Sequence, residues 1–223
     1  MTLRIVSLVP SATETLLAWE VEPIACTRFC EQPGIPTVGG TKDPDIDAIV
    51  RLAPDMVVMD EEENRREDAD ALRAAGLTVF TFAVRSLHDA AKQIAGLGTF
   101  VGGSVRGWSV PPPVEPGAVA FVPIWRRPWM ALGRGTYGAD LLARLGFANA
   151  YDERYVTLDD LDGVVADVVL APSEPYPFGE RHVEELSTVA PVVLVDGKDL
   201  FWWGARTPAA MDRLRAQLHD RPV

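Results

Sequence analysis

Arg4-Ile-Val-Ser-Leu-Val-Pro-Ser-Ala-Thr-Glu14 is the stretch that decides the fold. Arg4–Val9 is a short apolar run typical of a buried strand, and Ser11–Glu14 has the pattern of a capping box that begins a helix. A buried strand followed at once by a helix is the repeating unit of parallel α/β sheets. This stretch therefore predicts an α/β protein.

The same alternation continues through the chain. In the first half we predict strands at Ile24–Thr27, Asp55–Asp60 and Thr78–Val84, and helices at Asp43–Leu52 (Asp43 as N-cap), Arg66–Ala75 and Ser86–Leu97. In the second half we predict strands at Val119–Trp125, Asp167–Ala171 and Pro191–Val195, and helices at Thr136–Leu145, Leu158–Val164, Glu180–Val189 and Pro208–His219.

The two halves also resemble each other residue by residue. Asp55-Met-Val-Val58 reappears as Asp167-Val-Val-Leu170, and Val79-Phe80 reappears as Val192-Val193. Such repetition predicts two similar parallel-sheet βαβ lobes, residues 1–98 and 118–223, facing each other across a cleft. The segment 99–117 between them contains Gly102-Gly103 and Pro111-Pro112-Pro113, so we expect a stiffened linker there.

Composition narrows the possible partners. The net charge is −11 and 48% of the residues are hydrophobic. Because an acidic surface repels phosphate backbones, we expect no nucleic-acid partner. No apolar run is long enough to span a bilayer, so we expect no membrane insertion. The first strand begins by Arg4, which leaves no room for a signal peptide. We therefore expect a cytoplasmic protein from this sequence as written, or a periplasmic or extracellular one if an export signal is missing from it.

Catalytic and metal-binding patterns are absent from the sequence. The three histidines fall in predicted helices, and no Cys, His and carboxylate residues have metal-ligand spacing. There is no Walker loop, G-x-G-x-x-G or G-x-S-x-G motif, so we expect a protein that is not an enzyme. We interpret Ser11 as a helix N-cap rather than a nucleophile. Cys26 and Cys30 could close a small disulfide loop, but we favour free thiols.

Candidate ligand-binding residues follow the predicted strands, because open α/β sheets bind ligands beyond the carboxyl ends of their strands. Aromatic rings there offer large rigid contact areas, although some could instead fill the lobe cores. Arg126, Arg127 and Arg134 could pair with carboxylates or amides of a ligand, or bridge to the acidic loop when the lobes close. The set is Phe29, Asp60, Glu62, Asn64, Trp125, Arg127, Trp129, Arg134, Tyr176, Phe178, Trp202 and Trp203.

Several of these motifs together resemble the class III solute-binding proteins of bacterial ABC importers. The motifs are Arg4–Glu14, Cys30-Glu-Gln-Pro33, Gly39-Gly-Thr-Lys-Asp-Pro-Asp45, Leu52-Ala-Pro-Asp-Met-Val-Val58, Pro128-Trp-Met-Ala-Leu-Gly-Arg134, Leu142-Ala-Arg-Leu-Gly146 and Pro191-Val-Val-Leu-Val-Asp196. They are most similar to the cobalamin-binding branch, of the helical backbone metal receptor type. Thr41 and Asp60 depart from that branch, which has tryptophans there, and residues 98–117 are too short for its long connecting helix.

The resemblance implies a class III periplasmic-binding-protein fold with a shortened connection between the lobes. It implies cobalamin or a related corrinoid as a small-molecule ligand, with no covalently bound cofactor, and an ABC permease as partner to what we expect is a monomer. By position, Phe29 and Trp202 match ligand-facing aromatic residues of that branch. Two alternatives stay open. One is a protein that binds a ferric siderophore or another macrocycle, with Arg126, Arg127 and Arg134 meeting acidic groups. The other is a cytosolic enzyme or ligand-carrying chaperone that reuses the fold.

Overall fold

A computed structural model describes residues 3–102 and 108–219 of the chain. The chain divides into two compact units. Unit 1 contains Met1–Val84, Asp89–Trp108 and Trp203–Ala205, and unit 2 contains Arg85–His88, Ser109–Trp202 and Arg206–Val223. None of the helices in the described ranges is long and apolar enough to cross a bilayer.

Unit 1 is built on a four-stranded parallel sheet. Its strands are β1 (Ile5–Ser7), β2 (Ala25–Cys26), β3 (Met56–Asp60) and β4 (Val79–Phe82), in the order β2-β1-β3-β4. The helices that follow them are α1 (Pro10–Ala18), α2 (Ile46–Leu52), α3 (Arg66–Ala74) and α4 (Leu87–Val101). β3 is buried on both faces, as expected for a central parallel strand. Val57 and Met59, on one face of this strand, pack with Val6, Leu8, Ile49 and Leu72 in one apolar core.

Unit 2 repeats this sheet and adds a second one. Strands β5 (Ala118–Phe121), β8 (Phe147–Asn149), β10 (Val168–Pro172) and β11 (Val192–Val195) are parallel, in the order β8-β5-β10-β11. Strands β6 (Pro123–Trp125), β7 (Trp129–Leu132) and β9 (Tyr155–Leu158) form a three-stranded antiparallel sheet. The helices are α5 (Tyr137–Arg144), α6 (Val183–Leu186), α7 (Gly197–Phe201) and α8 (Thr207–His219).

The predicted duplication is confirmed by the strand order. Each parallel sheet contains four strands. When these four are numbered along the chain, their order across the sheet is second, first, third, fourth in both units. The motif pair Met56-Val57-Val58 and Val168-Val169-Leu170 occupies equivalent central strands, β3 and β10. An α/β fold with two parallel sheets is therefore established.

Two predicted helix starts in unit 1 are wrong. The N-cap of α1 is Val9, and Pro10 occupies the first helical position, where its fixed φ and missing N–H are tolerated. Ser11 therefore lies inside the helix and caps nothing. In α2 the N-cap is Asp45, whose carboxylate accepts the Ala48 N–H at 2.8 Å. Asp43 pairs instead with Arg28 at 3.0 Å.

Larger differences occur in unit 2. The predicted strand Val119–Trp125 is two strands, β5 and β6, and β6 pairs with β7 in a hairpin. The predicted helix Leu158–Val164 is absent. Leu158 instead ends strand β9, in which exposed and half-buried residues alternate and which pairs with β7. Turns and bends follow it. β8 and α7 were not predicted. In the connecting region α4 runs to Val101, so residues 99–101 are helical rather than linker. The rest of that expectation falls partly on residues 103–107, outside the described residues.

Candidate ligand-binding site

Phe29 stands exposed beyond the carboxyl end of β2. It lies in a short 3-10 helix, Arg28–Cys30, and 48% of its surface is accessible. The Arg28 guanidinium carbon lies 4.8 Å from the centre of the Phe29 ring, and Arg28 is itself held by Asp43. This cation–π contact limits the positions open to the Phe29 ring.

The loop beyond β3 is shaped by two buried polar side chains. Asp60 Oδ1 accepts the N–H groups of Glu62 and Glu63 at 2.8 and 3.2 Å. Asn64 Oδ1 accepts the Asp60 N–H at 2.8 Å, and its amide nitrogen donates to the carbonyls of Leu8 and Thr41. Asp60 and Asn64 therefore hold the loop, whereas Glu62 is exposed. Contact of these three residues with a ligand stays a prediction.

Burial also changes the chemistry of Asp60. Removal from water raises the pKa of its carboxyl to about 6, against the opposing effect of the two N–H groups that it accepts. A neighbouring surface pocket of about 560 Å³ is lined mainly by charged residues. They include Asp60, Glu61, Arg65, Arg66 and Arg73. Such a lining does not provide the apolar walls that a flat aromatic ligand needs.

Five rings of unit 2 are in mutual contact, and we call them the unit 2 aromatic cluster. Four belong to residues of the predicted set, and the fifth is that of His182. Trp129 stacks on Phe178 with 6.0 Å between ring centres, and Tyr176 lies 4.7 Å from Phe178 and 5.5 Å from Trp125. His182 packs edge-on against Tyr176 and Phe178. The hairpin β6-β7 supplies the tryptophans, and the segment after β10 supplies the other three.

Burial separates the roles within this cluster. Trp125 is 44% exposed, whereas Trp129 and Phe178 are only 7% and 5% exposed and belong to the core of the unit. We had predicted all three as ligand contacts. In this structure Trp129 and Phe178 have almost no surface to offer, so we assign them to packing beneath Trp125 and Tyr176. The stacked pair thus supports the exposed edge of the cluster.

The predicted arginines differ in their availability. Arg126 forms a two-point ion pair with Glu185, with Nε–Oε2 at 2.8 Å, and the Tyr176 side chain lies near it. These partners raise the pKa of Arg126, Glu185 most of all. Arg134 pairs with Asp152 at 3.0 Å on the surface, and Arg127 is exposed at the hairpin turn. Two of the three arginines are therefore already occupied by carboxylates of their own unit.

Two adjacent tryptophans near the C-terminus belong to different units. Trp202 follows α7 in unit 2, where its half-buried ring lies 4.8 Å from Lys198 Nζ and 5.5 Å from the Arg206 guanidinium carbon. Arg206 is held in turn by buried Asp199. Trp203 lies in unit 1 and is 5% exposed, with its ring 4.4 Å from Phe82. Trp203 therefore packs in the core of unit 1, and its contact with a ligand stays a prediction.

Sequence reasoning missed three contributors to these surfaces. Arg28 and His182 adjoin predicted rings but fall outside the predicted set, and β7 lies in a segment that is predicted as a loop. Cys26 and Cys30 are both buried and not bonded to each other in this structure. In residues 3–102 and 108–219, no group of three or more His, Cys, Asp or Glu side chains could hold a metal ion.

Comparison with known proteins agrees with this architecture. Residues 5–107 match a family model described as periplasmic binding protein. No curated protein matches the chain. The structure is similar to the periplasmic vitamin B12-binding protein BtuF of Vibrio cholerae, with a TM-score of 0.78, 18% identity and coverage of 97% of this chain and 96% of that one.

Two heme-binding proteins are similar to the same degree. The apo form of RhuT from Roseiflexus sp. RS-1 has a TM-score of 0.76 and 20% identity, over 99% of both chains. A periplasmic heme-binding protein from Pseudomonas aeruginosa has a TM-score of 0.77 and 17% identity, over 100% of this chain and 95% of that one. The fold implied by the resemblance is thereby confirmed, since this chain has the α/β fold of the class III periplasmic binding proteins.

Proposed function

We propose that this chain is the substrate-binding component of an ABC importer and that its ligand is a flat macrocycle of the corrinoid class. The observation that carries the proposal is the placement of exposed aromatic rings. Phe29 stands beyond β2 in unit 1, and Trp125 stands beyond β5 in unit 2, each at the carboxyl side of its parallel sheet. Burying apolar area against such rings contributes about 25 cal/mol per Å².

The charges near these rings favour a neutral rim on the ligand. The loop beyond β3 carries exposed Glu61, Glu62 and Glu63, which would repel carboxylates. Arg126 and Arg134, which we had considered as partners for an acidic siderophore, are paired with Glu185 and Asp152. Corrinoids carry neutral amide side chains, so their binding does not require a free arginine. These features support a corrinoid over an acidic ferric siderophore.

Heme is a second candidate because of one residue, Tyr176. Its ring touches exposed Trp125, and the Arg126 side chain lies nearby. A tyrosine oxygen can ligate ferric heme iron. The proteins of similar fold include binders of both vitamin B12 and heme, which gives no preference between them.

A ligand panel with two variants separates the candidates. We would mix the protein with cyanocobalamin, hemin and a ferric siderophore, and record native mass spectra and visible absorbance. A corrinoid ligand predicts a cobalamin adduct that Trp125→Ala weakens and Tyr176→Phe leaves intact. A heme ligand predicts a Soret shift that Tyr176→Phe removes, since that variant keeps the ring and loses only the oxygen. Absence of an adduct with any panel member would contradict the proposal.

The transport role has its own tests. A substrate-binding component acts outside the cytoplasmic membrane, so we propose that compartment in the native host, in place of the cytoplasmic location expected from the sequence as written. Fractionation of host cells with an antibody to the chain would measure it. Permease and ATPase genes beside this gene would support transport, whereas their absence and a cytosolic location would favour an enzyme or a ligand-carrying chaperone. Gel filtration would test the expected monomer.

A further inference from the structure

The only two cysteines of the chain lie together in the core of unit 1. Cys26 ends β2, and Cys30 ends the 3-10 helix that carries Phe29. Both are buried, and they share one small apolar cluster with Ile35 and Leu17. Neither thiol belongs to the proposed ligand site, so that site does not account for two cysteines in one cluster.

The backbone brings the two cysteine side chains together. Cys26 is fixed on both sides, because its N–H donates to Pro36 O at 3.0 Å and its carbonyl accepts the Val38 N–H at 2.9 Å. The chain then turns back, with the Cys30 N–H donating to Thr27 O at 3.1 Å. As a result the two cysteine side chains pack in the same buried cluster with Ile35. The short, turned-back segment between them makes a bond between their sulfurs possible within unit 1.

We propose that Cys26 and Cys30 are an oxidisable pair that forms an intramolecular disulfide by exchange with a low-molecular-weight disulfide such as oxidised glutathione. The Cys30 thiolate attacks one sulfur of the oxidant, and one glutathione thiolate leaves. The Cys26 thiolate then attacks the Cys30 sulfur of the mixed disulfide, and the second glutathione leaves. The protein loses two protons and two electrons, and the oxidant is reduced to two glutathione molecules.

The surroundings of the two thiols indicate this order. The hydroxyl oxygens of Thr13 and Thr27 lie 3.2 and 3.3 Å from Cys30 Sγ, so either hydroxyl can donate to a thiolate that forms there. Burial, and next the neighbouring Cys30, raise the pKa of the Cys26 thiol to about 12. Cys30 also lies between two exposed residues, Phe29 and Glu31, so opening of that short turn exposes it first.

The bond would have a local consequence. It would close a small covalent ring around Arg28 and Phe29, the residues of the exposed cation–π pair. Opening of the 3-10 helix would then be restricted in the oxidised protein. Amide hydrogen exchange at Cys30, whose N–H is bonded to Thr27 O, should therefore slow on oxidation.

The test is thiol counting on the folded protein. Reduced protein would be incubated with oxidised glutathione, quenched in acid, denatured, alkylated and weighed by mass spectrometry. We expect the wild type to lose both alkylation sites without keeping glutathione. Cys26→Ala should keep one glutathione on Cys30, because no second thiol can displace it. Cys30→Ala should remain largely unmodified, since only the high-pKa thiol is left.

Several results would overturn the proposal: two thiols that remain alkylatable, a stable glutathione adduct on the wild type, or disulfide-linked dimers. Circular dichroism before oxidation would establish that each alanine variant is folded. If one is not, two measurements on the wild type decide the question. These are a tryptic fragment containing a Cys26–Cys30 link, and slowed exchange of the Cys30 amide after oxidation. Failure of both would exclude the disulfide.

Discussion

Each unit contains a run of aromatic rings in mutual contact, but the two runs differ in their polar neighbours. In unit 1, Trp203, Phe82, Phe80 and Phe100 follow one another with 4.4 to 5.9 Å between ring centres. In unit 2 the cluster of Trp125, Trp129, Tyr176, Phe178 and His182 is accompanied by Arg126 and Glu185. The first run is hydrocarbon apart from one indole N–H, and the second has several polar groups at its edge.

Both runs pass from a buried ring to an exposed one, so exposure alone does not identify a binding surface. Phe100 is 59% exposed and Trp125 is 44% exposed. Phe100 contacts Phe80, the second residue of β4, whereas Trp125 lies beyond the carboxyl end of β5 and beside a phenol. Position relative to the strand ends, together with polar neighbours, therefore distinguishes a candidate ligand surface from a merely exposed ring.

The two units also differ in the segment before the third strand of each sheet. Unit 1 has helix α2 before β3, and unit 2 has the β-strand β9 before β10. The parallel sheets keep their strand order despite this exchange. The two units are therefore alike in the order of their paired strands, and they differ in the segments that connect those strands.

The largest expected effects are on the buried ring in each run. Trp129→Ala and Trp203→Ala each remove a nearly fully buried indole, so each should lower the free energy of unfolding by about 3–5 kcal/mol. Urea denaturation measures this directly. Trp125→Ala, the exposed partner in the same hairpin, is the matched control and should cost about 1 kcal/mol. If Trp125→Ala and Trp129→Ala lowered the free energy of unfolding equally, the assignment of Trp129 to packing and of Trp125 to the surface would be wrong.

The exposed rings should differ in binding instead. Trp125→Ala should weaken binding of the adduct-forming ligand by about 1–3 kcal/mol, roughly 5- to 150-fold, because a large anchor ring is lost. Phe100→Ala removes a ring of comparable exposure from unit 1 and should leave affinity unchanged. Fluorescence titration measures both. Loss of affinity in Phe100→Ala would show that our criterion of strand-end position is wrong.

Trp202→Ala applies the same test to the ring between Lys198 and Arg206. We expect an affinity loss of similar size, about 1–3 kcal/mol, with a melting temperature close to that of the wild type. The adjacent Trp203→Ala serves as the control with the opposite pattern. If Trp202→Ala melts far lower yet binds the ligand unchanged, Trp202 is a packing residue and does not belong to the site.

The sequence was informative where local chemistry determines the outcome. Apolar runs at β3 and β10 and the motif resemblance predicted the strands, their repetition and the fold. The hairpin was missed because Val119–Trp125 is apolar throughout, and only pairing with β7 shows where one strand ends and another begins. Trp129 and Trp203 were placed in the site because proximity to a strand end does not reveal which way a side chain is packed. Burial depends on residues distant in sequence.

The unit 2 cluster should respond to pH through His182. Its burial, and next the charges of Arg181 and Arg126, lower the pKa of this imidazole, while Glu185 opposes them. The unfolded chain then binds a proton that the folded chain does not. Stability is therefore full above the ordinary histidine pKa, about 6.5, and falls as the pH drops through it. The melting temperature of the wild type should fall more between neutral and mildly acidic pH than that of His182→Gln. An identical pH dependence of the two proteins would show that His182 does not cause the loss of stability in acid.

The smallest expected effect concerns α2, the helix that unit 2 lacks. Asp45 caps α2 by accepting the Ala48 N–H, whereas Asp43, two residues earlier, pairs with exposed Arg28. Asp45→Ala should cost about 1 kcal/mol because it leaves a helix N–H unsatisfied. Asp43→Ala removes only a solvent-exposed ion pair, so it should cost less, about 0.2–1 kcal/mol.

High salt separates the two effects further, since it screens the ion pair and leaves the cap largely unaffected. Thermal melts at low and high salt would measure both. A larger loss in Asp43→Ala that persists at high salt would mean that Asp43, as the sequence suggested, begins the helix.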